Sequence, residues 1–323
     1  MKAIVVHEFG PPPVLRYEDV PAPAPASGEV TVSVEAAGVG AWDALVREGK
    51  SGLGQDLPLI PGADLAGTVF SVGTDAGEFR VGDSVYGATN PSFTGAYAEV
   101  ALCKAAMLAR KPANLDFLEA ASVPVVGVTA WQMLFEYAKV EPGQTVLVHG
   151  AGGNVGSYGV QLANHAGARV IASGSAGDRD YVLGLGAERF LDFRAEPFDR
   201  AVHDVDVVLD TVGGEVLSRS FDVVRRGGVV VSAVAQPREE DTRRSGARGV
   251  YFIVDVTKDR LDKLTDLFES GALKTRIGEM LPLERAQEAH EMLAGAPHRP
   301  GRIVLQVRSR HGKASHRPEH SER

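Results

Sequence analysis

Apolar residues follow two rhythms along this chain. Through the first third they form short runs cut by Gly and Pro, at 2–9, 29–36, 67–72, 84–87 and 97–103, the texture of a compact β unit made of strands and tight turns. From about residue 115 the pattern becomes helical and then gives way to buried-type runs at 145–149, 169–173, 189–193, 206–211, 228–234 and 250–254, separated by helix-length segments. Six such runs alternating with helices predict a parallel sheet covered on both faces, a doubly wound α/β domain. Beyond Asp255, the residues Leu261, Leu264, Leu267 and Phe268 share one helical face. A last strand-like run at 302–307 has no place in the α/β unit and is expected to return to the β unit. The expected organisation is therefore a mostly β domain at 1–114, the α/β domain at 115–255, a return segment at 256–307 and a polar tail at 308–323. The tail carries no large apolar residue and is expected to be disordered.

Composition removes several function classes. The 323 residues are 44% hydrophobic and 24% charged, with 34 Lys and Arg against 42 Asp and Glu, a net charge of −8. That balance argues against a nucleic-acid partner. The single cysteine, Cys103, excludes an internal disulfide and any zinc site built on several thiolates. The N-terminal residues reach charge and glycine too early for a signal peptide, and no stretch is long and apolar enough for a membrane span. A cytoplasmic protein without membrane contact is expected.

The segment from Thr145 to Ala163 holds an apolar strand, a glycine-dense turn and a helix, in that order. Gly150, Gly152, Gly153 and Gly156 flank Asn154 and Val155. Such a turn lets a diphosphate approach backbone N–H groups at a helix N-terminus. The strict Gly-x-Gly-x-x-Gly spacing fails at Val155, while Gly150, Gly153 and Gly156 fit a Gly-x-x-Gly-x-x-Gly variant. At the end of the next strand, where a carboxylate would hold the ribose 2′-hydroxyl of NAD, stand Ser173, Gly174 and Ser175, followed by Arg179. Hydroxyl donors and a guanidinium favour a 2′-phosphate, hence NADPH, although Asp178 and Asp180 dilute the positive field.

Taken with the segments 36–40, 61–69, 79–87, 95–99, 127–130, 206–214 and 300–305, this turn makes the chain resemble the medium-chain dehydrogenase/reductases, and within them the zinc-free quinone oxidoreductases related to zeta-crystallin. The resemblance implies a Rossmann-type six-stranded sheet joined to a GroES-like domain, and a homodimer formed through the sheet edge at 250–254. In the zinc alcohol dehydrogenases of this superfamily a Cys ligand falls near Gly40 and a His ligand near Ala63; neither position here offers a donor atom. The implied chemistry is hydride transfer from NADPH to a quinone or an α,β-unsaturated carbonyl.

The resemblance also implies roles residue by residue. Gly153, Asn154 and Val155 face the diphosphate; Ser173, Ser175 and Arg179 surround the adenosine end, with Phe193 near the adenine. Thr129, the turn at Thr211, Val212 and Gly213, the strand end at Ser232 and Ala233, and the backbone of Phe252, Ile253 and Val254 lie by the nicotinamide. His149 reads as a strand-end packing residue. Relatives often carry Asn at the position of Gly40 and Tyr at that of Leu45, so this substrate pocket is greasier. Trp42 then offers a wall for a flat ring, with the loop of Asn90, Phe93 and Thr94 as a second wall. Asp43 and Arg47, four apart on a helical turn, are placed to pair with one another. No proton donor stands out, and solvent is the default. Two other readings stay open: an enoyl-thioester reductase, and a cofactor-binding redox sensor or crystallin-like structural protein without turnover.

Overall fold

The computed structural model describes residues 1–308, so the tail expected to be disordered lies outside the described residues, Arg308 apart. β1 (Lys2–Val6) and β2 (Leu15–Asp19) form an antiparallel ribbon. β3 (Glu29–Val39) is the spine of a seven-stranded sheet and leads into helix α1 (Ala41–Arg47). β4 (Asp64–Val72), β5 (Ser84–Ala88), β6 (Val100–Lys104) and β7 (Leu108–Arg110) extend that sheet, β6 pairing with the far half of β3.

α2 (Phe117–Ala121) opens on a reciprocal cap: the Asp116 carboxylate accepts from Glu119 N at 2.8 Å, and the Glu119 carboxylate from Asp116 N at 2.9 Å. α3 (Pro124–Trp131) then carries the chain into the parallel sheet. Its strands are β8 (Thr145–His149), β9 (Arg169–Gly174), β10 (Arg189–Asp192), β11 (Val205–Asp210), β12 (Val224–Ser232) and β13 (Arg248–Tyr251), with α4 (Asn154–His165), α5 (Arg179–Gly184), α6 (Phe198–Ala201), α7 (Gly214–Ser220) and α8 (Glu239–Ser245) between them. All neighbours are parallel, in the order β10-β9-β8-β11-β12-β13. The period-two alternation of β8 explains the two covered faces: Val146 and Val148 enter one apolar core, Leu147 the other.

α9 (Lys258–Glu269) buries Leu261, Leu264 and Phe268 in the core that also holds Ala36, Ala66 and Tyr86 of the mixed sheet and Val148 and Leu209 of the parallel one. Tyr86 adds a hydrogen bond from its hydroxyl to the Leu261 carbonyl, 2.7 Å. After β14 (Ile277–Pro282) and α10 (Ala286–Leu293), β15 (Arg302–Gln306) lies antiparallel to β3.

The differences from the sequence pattern have local causes. β2 is mostly exposed and β7 is three residues long, so neither presents an apolar run. The run at 250–254 is displaced: only Arg248–Tyr251 pairs with β12, and Phe252, Ile253 and Val254 continue as chain outside the ladder. Asp43 and Arg47 do not pair. Arg47, buried, instead donates to the Gly10 carbonyl at 2.9 Å and meets His290 Nδ1 at 2.8 Å and Glu48 at 2.5 Å.

Candidate active site

In the parallel sheet the strand order reverses between β8 and β11, and the carboxyl ends of these strands open a crevice. A cavity of about 570 Å³ occupies it, lined by Gly150, Gly152, Gly153, Asn154 and Val155, by Ser173 and Ser175, by Phe193, and by Thr211 and Val212. Gly150 takes φ +68°, which turns the backbone away from β8. α4 begins at Asn154 with Gly153 as its cap residue, no side-chain cap and no acidic residue in its first turn. Its opening N–H groups are left for an anion. Gly156 does not line the cavity; a Cβ there would strike the Gly150 carbonyl, so its role is the close approach of helix and turn.

The side of the cavity beyond β9 departs from expectation. Arg179 is exposed on α5 and does not line the cavity, whereas half-buried Asp178 does, its carboxyl lying where a Gly152 side chain would stand. Gly174 packs on Phe190, whose ring would be 3.2 Å from a Cβ at that position. His149 is buried and its Nδ1 meets Ser173 Oγ at 2.7 Å. Burial pushes its pKa down to about 4, so the ring is neutral. Its Nε2 is buried and has no partner among the described residues, although His149 lines the cavity. An unmatched polar atom in the cavity wall, the glycine turn and the uncapped helix all suit an adenosine diphosphate group.

Across the crevice, buried Asp210 organises the next turn. It accepts from Val212 N at 3.1 Å, Gly213 N at 2.9 Å and Ser232 Oγ at 2.7 Å. Ser232 Oγ in turn accepts from Val234 N and Ala235 N, both at 3.1 Å. Gly213 and Ser232 therefore shape the wall without lining a cavity.

A second chamber of about 340 Å³ adjoins the first, lined by Gly40, Trp42, Asp43, Leu45, Ala63, Asp64, Val125, Thr129, Ala233, Val234, Tyr251, Phe252, Ile253 and Val254. Five residues, Ala41, Val126, Val155, Thr211 and Arg302, border both spaces, so the two meet. Trp42 stands edge-on to Phe93 with ring centroids 5.7 Å apart. Phe93 is thus a buttress behind the chamber. Asn90 and Thr94 line a different cavity; Asn90 Nδ2 donates to the Thr94 carbonyl at 2.7 Å and holds its own loop. Thr129 donates to the Val125 carbonyl at 2.7 Å.

Sequence reasoning did not single out Asp64 and Arg302. Arg302 Nη2 donates to Asp64 Oδ2 at 2.5 Å, both side chains buried. Burial pushes Asp64 up to about 7 against the pull of Arg302, and Asp43 up to about 6 although Gly40 N and Tyr97 Oη each donate to it at 2.9 Å. The Pro-Gly-x-Asp and Pro-Gly-Arg segments were visible, but only the pairing of β15 with β3 brings them together.

Residues 26–113 match the family described as alcohol dehydrogenase GroES-like domain, and residues 185–305 the one described as zinc-binding dehydrogenase. The quinone oxidoreductase of Mus musculus is 33% identical over 324 residues, covering 94% of this chain and 97% of that protein. The solved quinone oxidoreductase from Coxiella burnetii aligns with a TM-score of 0.89 at 32% identity, over 95% of this chain and 99% of the other. A mycobacterial protein solved as its NADPH complex aligns with a TM-score of 0.85 at 30% identity, over 95% of this chain and all (100%) of that one.

Zinc does not suit this site, whatever the second family's description. Gly40 and Ala63 present no donor atom, the Asp64 carboxylate is already engaged by a guanidinium, and among the described residues no group of three or more His, Cys, Asp or Glu is placed to hold a metal. No described helix is long and apolar enough to cross a membrane.

Proposed function

The chain belongs to the zinc-free quinone oxidoreductase family of the medium-chain dehydrogenase/reductases, and on that premise we propose that it is an NADPH-dependent reductase of quinones or α,β-unsaturated carbonyl compounds. The observation that carries this reading is the junction of the two spaces. A glycine turn at a helix N-terminus lines one, mostly apolar side chains line the other, and Thr211, Val155 and Arg302 border both. When bound, the reduced nicotinamide supplies hydride. Gly153, Asn154 and Val155 would hold its diphosphate, Ser173 and Ser175 its adenosine end, and Thr129, Thr211 and Ala233 the nicotinamide side.

NADPH is preferred to NADH because β9 ends in Ser173 and Gly174, with no carboxylate at the strand tip to repel a 2′-phosphate. Trp42, Leu45, Val234 and Phe252 suit a conjugated apolar acceptor, which spreads incoming charge onto oxygen and needs no metal. Water supplies the proton that completes the product. The protein works in the cytoplasm as a homodimer joined along β13, the edge strand of the parallel sheet; light scattering of the purified protein gives twice the chain mass if so, and the chain mass if not.

The test is loss of reduced-nicotinamide absorbance with NADPH or NADH against a polycyclic quinone and an alkyl vinyl ketone. Turnover with at least one acceptor, faster with NADPH, is expected. NADPH binding without reduction of either acceptor would overturn the reading in favour of a thioester substrate or a non-enzymatic role.

A further inference from the structure

A buried cation, Arg302, stands beside Gly40 and Asp64 where the two spaces meet. Arg302 is 5% exposed, yet it borders the larger cavity, the apolar chamber and a small recess beside the glycine turn. Among the described residues its one counter-charge in contact is Asp64, bonded through Nη2. The other Asp64 oxygen accepts from Val125 N at 2.9 Å, so the carboxylate is anchored on the protein side. Nε of Arg302 is buried and has no acceptor among the described residues, and Nη1 is the atom nearest to where a side chain at Gly40 would begin, 2.8 Å from its Cβ. Gly40 itself lines the chamber. Any larger residue there would displace the guanidinium, so the glycine opens the chamber to it. A guanidinium has five N–H donors and no acceptor, and one bonded at a single corner retains donors for a ligand.

We propose that Arg302, the first residue of β15, is a catalytic residue, donating through Nη1 to the carbonyl oxygen of the acceptor and stabilising the oxyanion that forms there. The inference rests on the reading above that the chamber takes a carbonyl acceptor. A bound reduced nicotinamide would supply the hydride and its two electrons to the β-carbon; the carbon–carbon π pair would then shift so that the carbonyl π pair settles on oxygen, where Arg302 would hold the charge. A proton from water then adds to the α-carbon and restores the carbonyl. In a quinone the same charge rests on the phenolate oxygen before protonation. Fixed donors aimed at a developing oxyanion supply a large share of catalysis in comparable reactions, and losing one lowers kcat by about 10²- to 10³-fold.

The experiment compares wild type with Arg302→Gln and Arg302→Lys. Three quantities are read: kcat and KM for the acceptor, NADPH affinity from the fluorescence of the bound nicotinamide, and the ionisation of 4-nitrophenol bound to the NADPH-free protein, followed by its absorbance. The expected result is that Arg302→Gln lowers kcat by about 10²-fold with NADPH affinity little changed, and that Arg302→Lys recovers part of the rate. Bound nitrophenol should ionise at lower pH in wild type than in solution, and lose that shift in Arg302→Gln. Loss of NADPH affinity at unchanged kcat would overturn the proposal and make Arg302 a ligand of the cofactor diphosphate. An unchanged nitrophenol titration would overturn it too. If Arg302→Gln fails to fold beside unpaired Asp64, the double variant Arg302→Gln with Asp64→Asn, which leaves neither charge unpaired, decides by the same nitrophenol titration. Should wild type reduce no acceptor at all, the proposed function fails, while the nitrophenol titration still reads Arg302 by itself.

Discussion

Thr211 Oγ1 donates to the carbonyl oxygen of His149 at 2.8 Å, lacing the tip of β11 to that of β8 where the sheet order reverses. Gly150 lies directly beneath, because a Cβ there would meet the Thr211 hydroxyl. The bond fixes the width of the crevice from which the glycine turn departs. Thr211→Val keeps the shape and removes the donor, leaving a buried carbonyl short of a partner at a cost of about 1 to 3 kcal/mol. A lower melting temperature and NADPH affinity weakened several-fold are expected; calorimetric unfolding and a fluorescence titration measure both.

Gly153 is exposed at the start of α4, and its ideal Cβ would have only the Gly150 carbonyl near it, at 3.1 Å. A side chain there is compatible with the fold but fills the approach to the helix N-terminus. Gly153→Val should leave the melting temperature within a few degrees of wild type and weaken NADPH binding at least 10²-fold, by the loss of close backbone–phosphate contact. Unchanged affinity would remove the turn from the cofactor site.

Asp178, rather than Arg179, lines the cavity proposed to hold the adenosine end of the cofactor. A carboxylate there repels a 2′-phosphate more than a 2′-hydroxyl, so it moderates the preference set by Ser173 and Ser175. Asp178→Asn should raise the ratio of kcat/KM for NADPH over NADH by about tenfold, equivalent to about 1.4 kcal/mol. Arg179→Ala should change it much less. The opposite order of effects would return the guanidinium to the site.

How far the sequence reached can be seen in these same residues. The six strands of the parallel sheet and the glycine turn are legible because each is a contiguous run with its own period, and strand, turn and helix follow one another in the order that binding requires. Asp178 and Arg179 are adjacent, so no pattern could tell which one faces the cavity; that depends on the turn at Ala176–Asp178 preceding α5. Asn90, Phe93 and Thr94 share one loop, yet it closes on itself and turns Asn90 and Thr94 to a different cavity. The pair Asp64 and Arg302 spans 238 positions. Only the register of β15 on β3 and of β3 on β4 brings it together, and register is not written in composition.

Asp43 carries a pH signature. Burial raises its pKa to about 6 from an ordinary 3.8, so the folded protein keeps a proton that the unfolded chain releases. Its contribution is full below about pH 4 and is lost as pH rises through about 6, with a total of about 3 kcal/mol. Asp43→Asn, which can still accept from Gly40 N and Tyr97, should show a flatter dependence of melting temperature on pH between 4 and 6.5. A slope equal to that of wild type would mean that the carboxyl is ionised throughout.

The central claim, metal-free hydride transfer into the chamber, is tested most directly by isotope. The enzyme, treated with a chelator, is supplied with NADPH deuterated at the transferable C4 position and an alkyl vinyl ketone, and the saturated ketone is examined by mass spectrometry and NMR. One deuterium on the carbon β to the carbonyl, at a rate the chelator does not alter, is the predicted result. A product without deuterium, or a rate that vanishes with the chelator and returns with zinc, would contradict it.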